Sequence, residues 1–189
     1  MQPFAWFVDA GYLFAAGGEL CAETRKREEL DIDYASLTRA FADWGRQWGS
    51  AWGYADSFPY LRTYWYDGGV DGQPSEDHLD VARLAGVKLR LGRLVRGRQK
   101  GVDSLIVRDL MRLSQNHAIS TAYLLGGDED LRQGMVEAQD MGVRVVLVGI
   151  EPFARQNQAG TLIREADDVM ELSGKDLTPM FRRREPTRA

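Results

Sequence analysis

Aspartates recur at three well-separated places in this chain, each beside a predicted strand end or helix start. Asp9 follows a short apolar run, Asp103 opens a helical stretch, and Asp128 and Asp130 lie in the acidic segment 126–130. Carboxylates that meet in space without a partner raise one another's pKa and cost stability. Oxygen ligands of this kind suit Mg²⁺ or Mn²⁺, and such an ion neutralises the charge of a phosphodiester and activates a water. The pattern therefore favours a metal site that acts on phosphate.

A further carboxylate, Asp109, follows Asp103 by six residues on the same predicted helix. This spacing separates the two side chains by about 120° around the helix axis, so both cannot point squarely at one ion. We expect one of them to support the site rather than bind the metal. The chain offers no convincing set of Ser, Cys and His for nucleophilic catalysis, and His78 and His117 are predicted to be surface residues.

The elements that must position these aspartates alternate between strand and helix. The residues of 4–8 form an apolar run typical of a buried strand, and Asp33 has the position of a helix N-cap. Further strands are predicted over 61–66, 87–91, 121–125, 143–149 and 169–172, and helices over 34–48, 75–84, 103–113, 130–141 and 158–165. Residues 67–69 are predicted to be a turn, and 17–29 receive no assignment. This alternation predicts an α/β open sandwich, in which a mainly parallel sheet has helices on both faces and ligands bind beyond the carboxyl ends of the strands.

Length and composition agree with a single globular domain. The chain has 189 residues, 44% of them hydrophobic, and a formal net charge of −4, which argues against coating of nucleic acid by bulk charge. The longest apolar run is about six residues, well short of the roughly 20 that a membrane helix needs, so no membrane partner is expected. No secretory leader is recognisable, and the expected location is the cytoplasm. We expect the domain to span 1–175 and the basic segment 176–189 to be a disordered tail.

A basic strip leads into Asp103. It consists of Arg90, Arg93, Arg96, Arg98 and Lys100. A run of basic residues is usually just a solvent-exposed surface. Beside a metal site, however, these side chains would attract and position an RNA backbone without recognising its sequence. Tyr12, close to Asp9, is the aromatic side chain that we would test for stacking on a base. Trp44 and Trp48 lie on the core stripe of a helix, and the aromatic-rich region 44–66 is a possible self-association patch.

Four motifs resemble those of the NYN domain, a family of PIN-like nucleases. They are the segments 7–13 (FVDAGYL), 100–103 (KGVD) with Asp109, 124–131 (LLGGDEDL) and 142–145 (GVRV). The resemblance covers roughly residues 4–172 and implies a PIN-like fold, a Mg²⁺ or Mn²⁺ site and hydrolysis of RNA phosphodiesters. By matched positions it makes Asp9, Asp103, Asp128 and Asp130 the catalytic metal carboxylates, with Asp109, at a further acidic position of the family, as a further candidate metal ligand.

Two departures from the family pattern leave alternatives open. Tyr12 stands where the family usually has Asn, and Gly126 stands where it usually has Ser. These changes motivate a second hypothesis, a catalytically weak or inactive module that binds RNA or a protein and regulates it. A small-molecule phosphohydrolase also fits the metal chemistry, although the chain lacks a P-loop, a GxGxxG motif and a DxD after the first strand.

Overall fold

A computed structural model describes residues 3–51, 59–95, 98–151 and 157–184 of the chain. The strands are β1 Phe4–Asp9, β2 Leu30–Ile32, β3 Tyr60–Val70, β4 Val87–Val95, β5 Arg98–Lys100, β6 Thr121–Leu125, β7 Arg144–Ile150, β8 Asp168–Leu172 and β9 Phe181–Arg183. The helices are α1 Ala10–Tyr12, α2 Gly18–Ala22, α3 Tyr34–Ala51, α4 Glu76–Arg83, α5 Val102–Gln115, α6 Arg132–Asp140, α7 Gly160–Glu165 and α8 Gly174–Leu177. Between α1 and α2 the chain forms a π-helix over Leu13–Gly17.

The main sheet has the strand order β5-β4-β3-β1-β6-β7-β8 within the described residues. Neighbouring strands run parallel except β4 and β5, which form an antiparallel pair at one edge. The predicted aspartate Asp9 is the last residue of β1, the central strand, and Asp128 lies three residues beyond the end of the neighbouring β6. The predicted α/β open sandwich with a mainly parallel sheet is therefore confirmed.

Helices cover both faces of this sheet because the side chains of β1 alternate between two hydrophobic cores. Trp6 and Val8 belong to the core beneath α3, whereas Ala5 and Phe7 belong to the core beneath α5 and α6. Trp44 and Trp48 of α3 pack against the first core, as their spacing predicts. None of the helices in the described part of the chain is both long enough and apolar enough to cross a membrane.

Strand β3 runs past the predicted turn at 67–69 and ends at Val70. The expectation of a turn there is wrong, because Gly68 and Gly69 pair with Gly92 and Arg93 of β4. Gly69 lies so close to the backbone of Gln73 that a Cβ would meet its carbonyl oxygen at 2.4 Å. The Gly68-Gly69 dipeptide, a pair that usually marks a turn, here lets the backbone of β3 approach the backbone of Gln73 closely.

The C-terminal segment is the second departure from expectation. Residues 176–184 do not form a disordered tail, because Leu177 closes α8 and Phe181–Arg183 pairs antiparallel with β2. Leu177 and Phe181 are buried in the first core. Apolar residues spaced among the arginines therefore anchor this segment, while 185–189 lie outside the described residues.

Candidate functional site

Asp9 ends β1 and also caps the helix that follows. Its Oδ1 accepts hydrogen bonds from the backbone N–H groups of Gly11 at 2.9 Å and Tyr12 at 3.3 Å. Burial raises the pKa of Asp9 to about 6, the N–H group of Tyr12 opposes that shift, and the charge of Asp103 adds to it. The helix-capping role and a ligand role are compatible, since capping occupies only one carboxylate oxygen.

Asp103, Asp128 and Asp130 gather at the same end of the sheet. Asp103 lies in the first turn of α5, after Gly101, whose φ of 79° reverses the chain. Burial raises the pKa of Asp103, and the charges of Asp128 and Asp130 raise it further. Asp128 follows β6 and caps a short 3₁₀ turn, with its Oδ1 accepting from the N–H of Asp130 at 3.0 Å. Asp103 is thus electrostatically linked to Asp9 on one side and to the 128–130 segment on the other.

These four carboxylates fit a hard divalent cation by their chemistry. All are oxygen donors. Burial is the main cause that raises the pKa values of Asp9 and Asp103, and neighbouring carboxylates raise both further, a repulsion that a cation would relieve. In the described ranges no three Asp, Glu, His or Cys side chains converge closely enough to ligate one ion together. Mg²⁺ is the candidate ion that needs the fewest protein ligands, since it usually keeps several waters and takes one or two carboxylates.

Asp109 lies apart from this arrangement in its contacts. It is 4% exposed, and its Oδ2 accepts from Arg90 Nε at 2.6 Å and from the hydroxyl of Tyr66 at 3.3 Å. Arg108 adds a contact at 3.6 Å. Asp109 therefore pins α5 to β3 and β4. Of the two aspartates on α5, Asp103 is the one that the structure groups with Asp9 and Asp128.

The basic strip forms a hairpin at the edge of the sheet. Arg93 of β4 pairs directly with Lys100 of β5, and both side chains are exposed. Arg98 pairs through its backbone with Val95, while Arg96 lies outside the described residues. Arg90 is committed to Asp109 and is not part of the free basic surface. Because β5 leads through Gly101 into α5, the hairpin adjoins Asp103.

Tyr12 is held in place by two hydrogen bonds of its hydroxyl, one donated and one accepted. The hydroxyl donates to Asn157 Oδ1 at 3.0 Å and accepts from the N–H of Ile150 at 3.0 Å. Burial raises the pKa of Tyr12 to about 12. A Cβ on Gly127 would lie 3.0 Å from the ring. Tyr12 therefore ties α1 to the ends of β6 and β7, and stacking of its ring on a base stays a prediction.

A buried network beside Asp9 escapes prediction from sequence. Asp67, 0% exposed in β3, accepts from His78 Nε2 at 2.9 Å and forms an ion pair with Arg27, whose guanidinium lies 4.1 Å from the ring centre of Phe14. Burial alone would raise the pKa of Asp67, but the hydrogen bond from His78 and the charge of Arg27 lower it overall. Its negative charge in turn raises the pKa of Asp9.

The predicted surface position of His78 is wrong, since this residue is 3% exposed. Ser75 N–H donates to His78 Nδ1 at 3.0 Å, so Nε2 carries the proton that faces Asp67. The spacing of Ser75 and His78, three residues apart at a helix start, is a capping-box signal that could have placed the histidine inside. His117 is exposed, as predicted.

Comparisons with known proteins agree with this fold. A family model described as the NYN domain matches residues 3–173. An uncharacterized protein, y4oD of Sinorhizobium fredii, is 52% identical over 98 residues, which cover 51% of this chain and 45% of that protein. The chain thus matches less than half the length of this relative. The crystal structure of a protein of unknown function, VPA0982 from Vibrio parahaemolyticus, superposes with a TM-score of 0.57 at 17% identity and covers 93% of this chain and 95% of its own; at that identity it shows the fold alone.

Proposed function

Because this chain belongs to the NYN domain family, a group of PIN-like nucleases, we propose that it is a metal-dependent ribonuclease. The observation that carries the proposal is the mutual electrostatic influence of four carboxylates towards the carboxyl end of a parallel sheet: Asp103 acts on Asp9, and Asp128 and Asp130 act on Asp103. Ligands of open α/β sheets bind at that end. Unpartnered carboxylates there cost stability, and a divalent cation removes this cost.

Asp9 and Asp128 are the carboxylates best placed to hold the ion, because Asp9 ends β1 and Asp128 lies three residues after the end of the neighbouring β6. Each has one oxygen that accepts a hydrogen bond from the backbone. Asp103 and Asp130 add negative charge beside these two carboxylates, and this charge would attract the cation. A bound Mg²⁺ or Mn²⁺ would neutralise charge on the phosphodiester and activate a water for its hydrolysis.

The remaining residues hold the substrate and the carboxylates in place. Arg93 and Lys100 on the basic hairpin would bind RNA phosphates beside Asp103, which positions the strand without reading its sequence. Arg96 and Arg98 belong to the same proposed contact strip. Asp109 keeps α5, and with it Asp103, against the sheet.

The direct test is cleavage of end-labelled single-stranded RNA by purified protein with Mn²⁺ or Mg²⁺. We expect cleavage with either ion, none with EDTA, and a loss on the order of 100-fold in Asp128→Asn, equivalent to about 2.7 kcal/mol of transition-state stabilisation. Asn is as good an N-cap as Asp, so this variant keeps the turn at 129–131. Asp140→Asn, at the exposed end of α6, is the matched control and should retain full activity.

Activity that survives both EDTA and Asp128→Asn would refute the proposal. Binding of RNA without turnover under several divalent ions would instead favour the alternative, a regulatory RNA-binding module. Turnover of nucleotides but not of polymers would favour a small-molecule phosphohydrolase.

A further inference from the structure

A cavity of about 600 Å³ opens beside Tyr12. Its volume lies in the range of pockets that bind small ligands. Its apolar part comes from the ring of Tyr12 and from Ala15, Ala16 and Leu20, and its charged part comes from three glutamates and one arginine. The charged residues are Glu19, Glu23, Glu151 and Arg25.

The cavity is one side chain away from the proposed metal ligands. Tyr12 lines it, and the backbone N–H of the same residue donates to Asp9. On the opposite strand end, Gly127 packs against the Tyr12 ring and immediately precedes Asp128. The cavity therefore borders a residue that is bonded to Asp9 and packed beside the segment that carries Asp128.

Several walls of the cavity are fixed before any ligand arrives. Asn157 accepts from the Tyr12 hydroxyl, and its Nδ2 donates to the carbonyl of Ile150 at 2.8 Å. The backbone N–H of Glu151 donates to Leu172, and its Oε2 accepts from the N–H of Gly174 at 3.3 Å. Ala15 and Ala16 lie in the π-helix, a helix type that is rare in proteins but, where it occurs, is often found at functional sites.

The charges decide which part of a nucleotide the cavity can take. Among the described lining residues, three carboxylates face one guanidinium, and this negative balance repels phosphate but accepts N–H donors. Among the RNA bases, guanine presents two adjacent donors, N1–H and N2–H, that match one carboxylate bidentately. Its O6 and N7 acceptors are the usual partners of arginine. Glu19 contacts Nε and Nη2 of Arg25, and within the described residues no partner occupies the Nη1 donors.

We propose that this cavity binds a guanine base, with Glu151 accepting from N1–H and N2–H, Arg25 donating to O6 or N7, and Leu20 and Tyr12 covering the ring. Where the proposed ribonuclease activity holds, the site makes cleavage selective for RNA with guanine next to the scissile phosphate. The same chemistry would also take a free guanine nucleotide. The two sources are separated by measuring nucleotide binding and RNA cleavage independently.

The first arm measures binding of GMP, AMP, CMP and UMP by calorimetry in EDTA, where no hydrolysis is needed. We expect GMP to bind at least about fivefold more tightly than the other three, since one bidentate pair is worth about 1–3 kcal/mol of discrimination. Glu151→Gln replaces one acceptor oxygen by a donor and should remove the preference. Glu76→Gln, an exposed glutamate in α4, is the matched control and should keep it.

The second arm maps cleavage of RNAs that differ at a single nucleotide. We expect cuts beside guanine in the natural protein and an even distribution of cuts in Glu151→Gln, whereas the control Glu76→Gln should keep both the guanine preference and the rate of the natural protein. Equal binding of all four nucleotides, or tighter binding of spermidine than of GMP, would overturn the guanine site. Cleavage without guanine preference would refute this inference alone, whereas GMP selectivity without any cleavage would refute the ribonuclease alone.

Discussion

At the scale of single residues, burial of the Asp9 carboxylate makes its ionised form unfavourable in the folded protein. Its pKa is raised from 3.8 to about 6, so the folded state holds the Asp9 proton more tightly than the unfolded state does. The stabilisation that this proton gives the folded state is fully present below about pH 4 and is lost as the pH rises through about 6. Without metal, the ionised carboxylate therefore destabilises the protein at pH 8.

We predict that Asp9→Asn raises the free energy of unfolding in EDTA by about 1–3 kcal/mol at pH 8 and has little effect at pH 4. Asn keeps the oxygen that accepts from Gly11 and Tyr12. Mn²⁺ should raise the Tm of the natural protein more than that of the variant. Urea denaturation at both pH values provides the measurement, and a variant less stable than the natural protein at pH 8 would contradict the prediction.

The matched control for this prediction is Asp33→Asn. Asp33 also caps a helix, but the N–H and hydroxyl of Ser36 lower its pKa. The sign is therefore reversed: ionised Asp33 stabilises the fold above its unfolded pKa, and the stability is lost as the pH falls through the folded value. Replacing Asp33 should not stabilise the protein at pH 8.

At the scale of elements, the hairpin of β4 and β5 and the helix α5 form one unit. Arg90 of β4 is bound to Asp109 of α5, and the strand β5 continues into α5 through Gly101. The exposed cations Arg93 and Lys100 are thus fixed relative to Asp103. A flexible basic loop would lose conformational freedom on binding RNA, and a paired hairpin loses less.

We predict that the double change Arg93→Ala with Lys100→Ala weakens RNA binding. The difference in affinity between the variant and the natural protein should shrink as the salt concentration rises. Each phosphate contact that is lost on single-stranded RNA makes the plot of log binding constant against log salt less steep by about 0.7. Binding is measured in the Asp128→Asn background to prevent cleavage. Lys175→Ala with Arg39→Ala, two exposed cations outside the hairpin, is the control. An unchanged salt slope in the hairpin variant would remove the hairpin from the RNA-binding surface.

At the scale of the whole molecule, the C-terminal strand closes the first hydrophobic core. Phe181 is 1% exposed, and a Cβ on Gly17 would lie 3.0 Å from its ring. The strand β9 also pairs with β2, so it links the end of the chain to the segment that carries Arg27. The domain therefore requires residues beyond 175.

We predict that Phe181→Ala lowers the free energy of unfolding by about 3–5 kcal/mol, because it leaves a cavity under α2. For a chain of this size each kcal/mol corresponds to about 2–4 °C in Tm. Truncation after residue 175 removes Leu177 and Met180 as well and should cost more. Arg182→Ala, at the exposed neighbouring position, should leave Tm unchanged in thermal denaturation. A truncated chain as stable as the natural one would restore the boundary at 175.

The sequence alone determined the fold class and the three places where carboxylates follow strand or helix ends. Both rest on local rules: apolar periodicity predicts strands and helices, and parallel strands bring their carboxyl ends to one edge. The same rules placed the helix cap at Ser75 and the core positions of Trp44 and Trp48.

The tertiary structure decided which side chains share a partner. Arg27 and Asp67 are 40 residues apart and Tyr12 and Asn157 are 145 apart, so no local pattern pairs them. The burial of His78 and the commitment of Asp109 to Arg90 depend in the same way on the order of strands in the sheet. The cost of burying a charge is relieved only by a group that the fold brings beside it, and that group is not encoded at a fixed spacing along the chain.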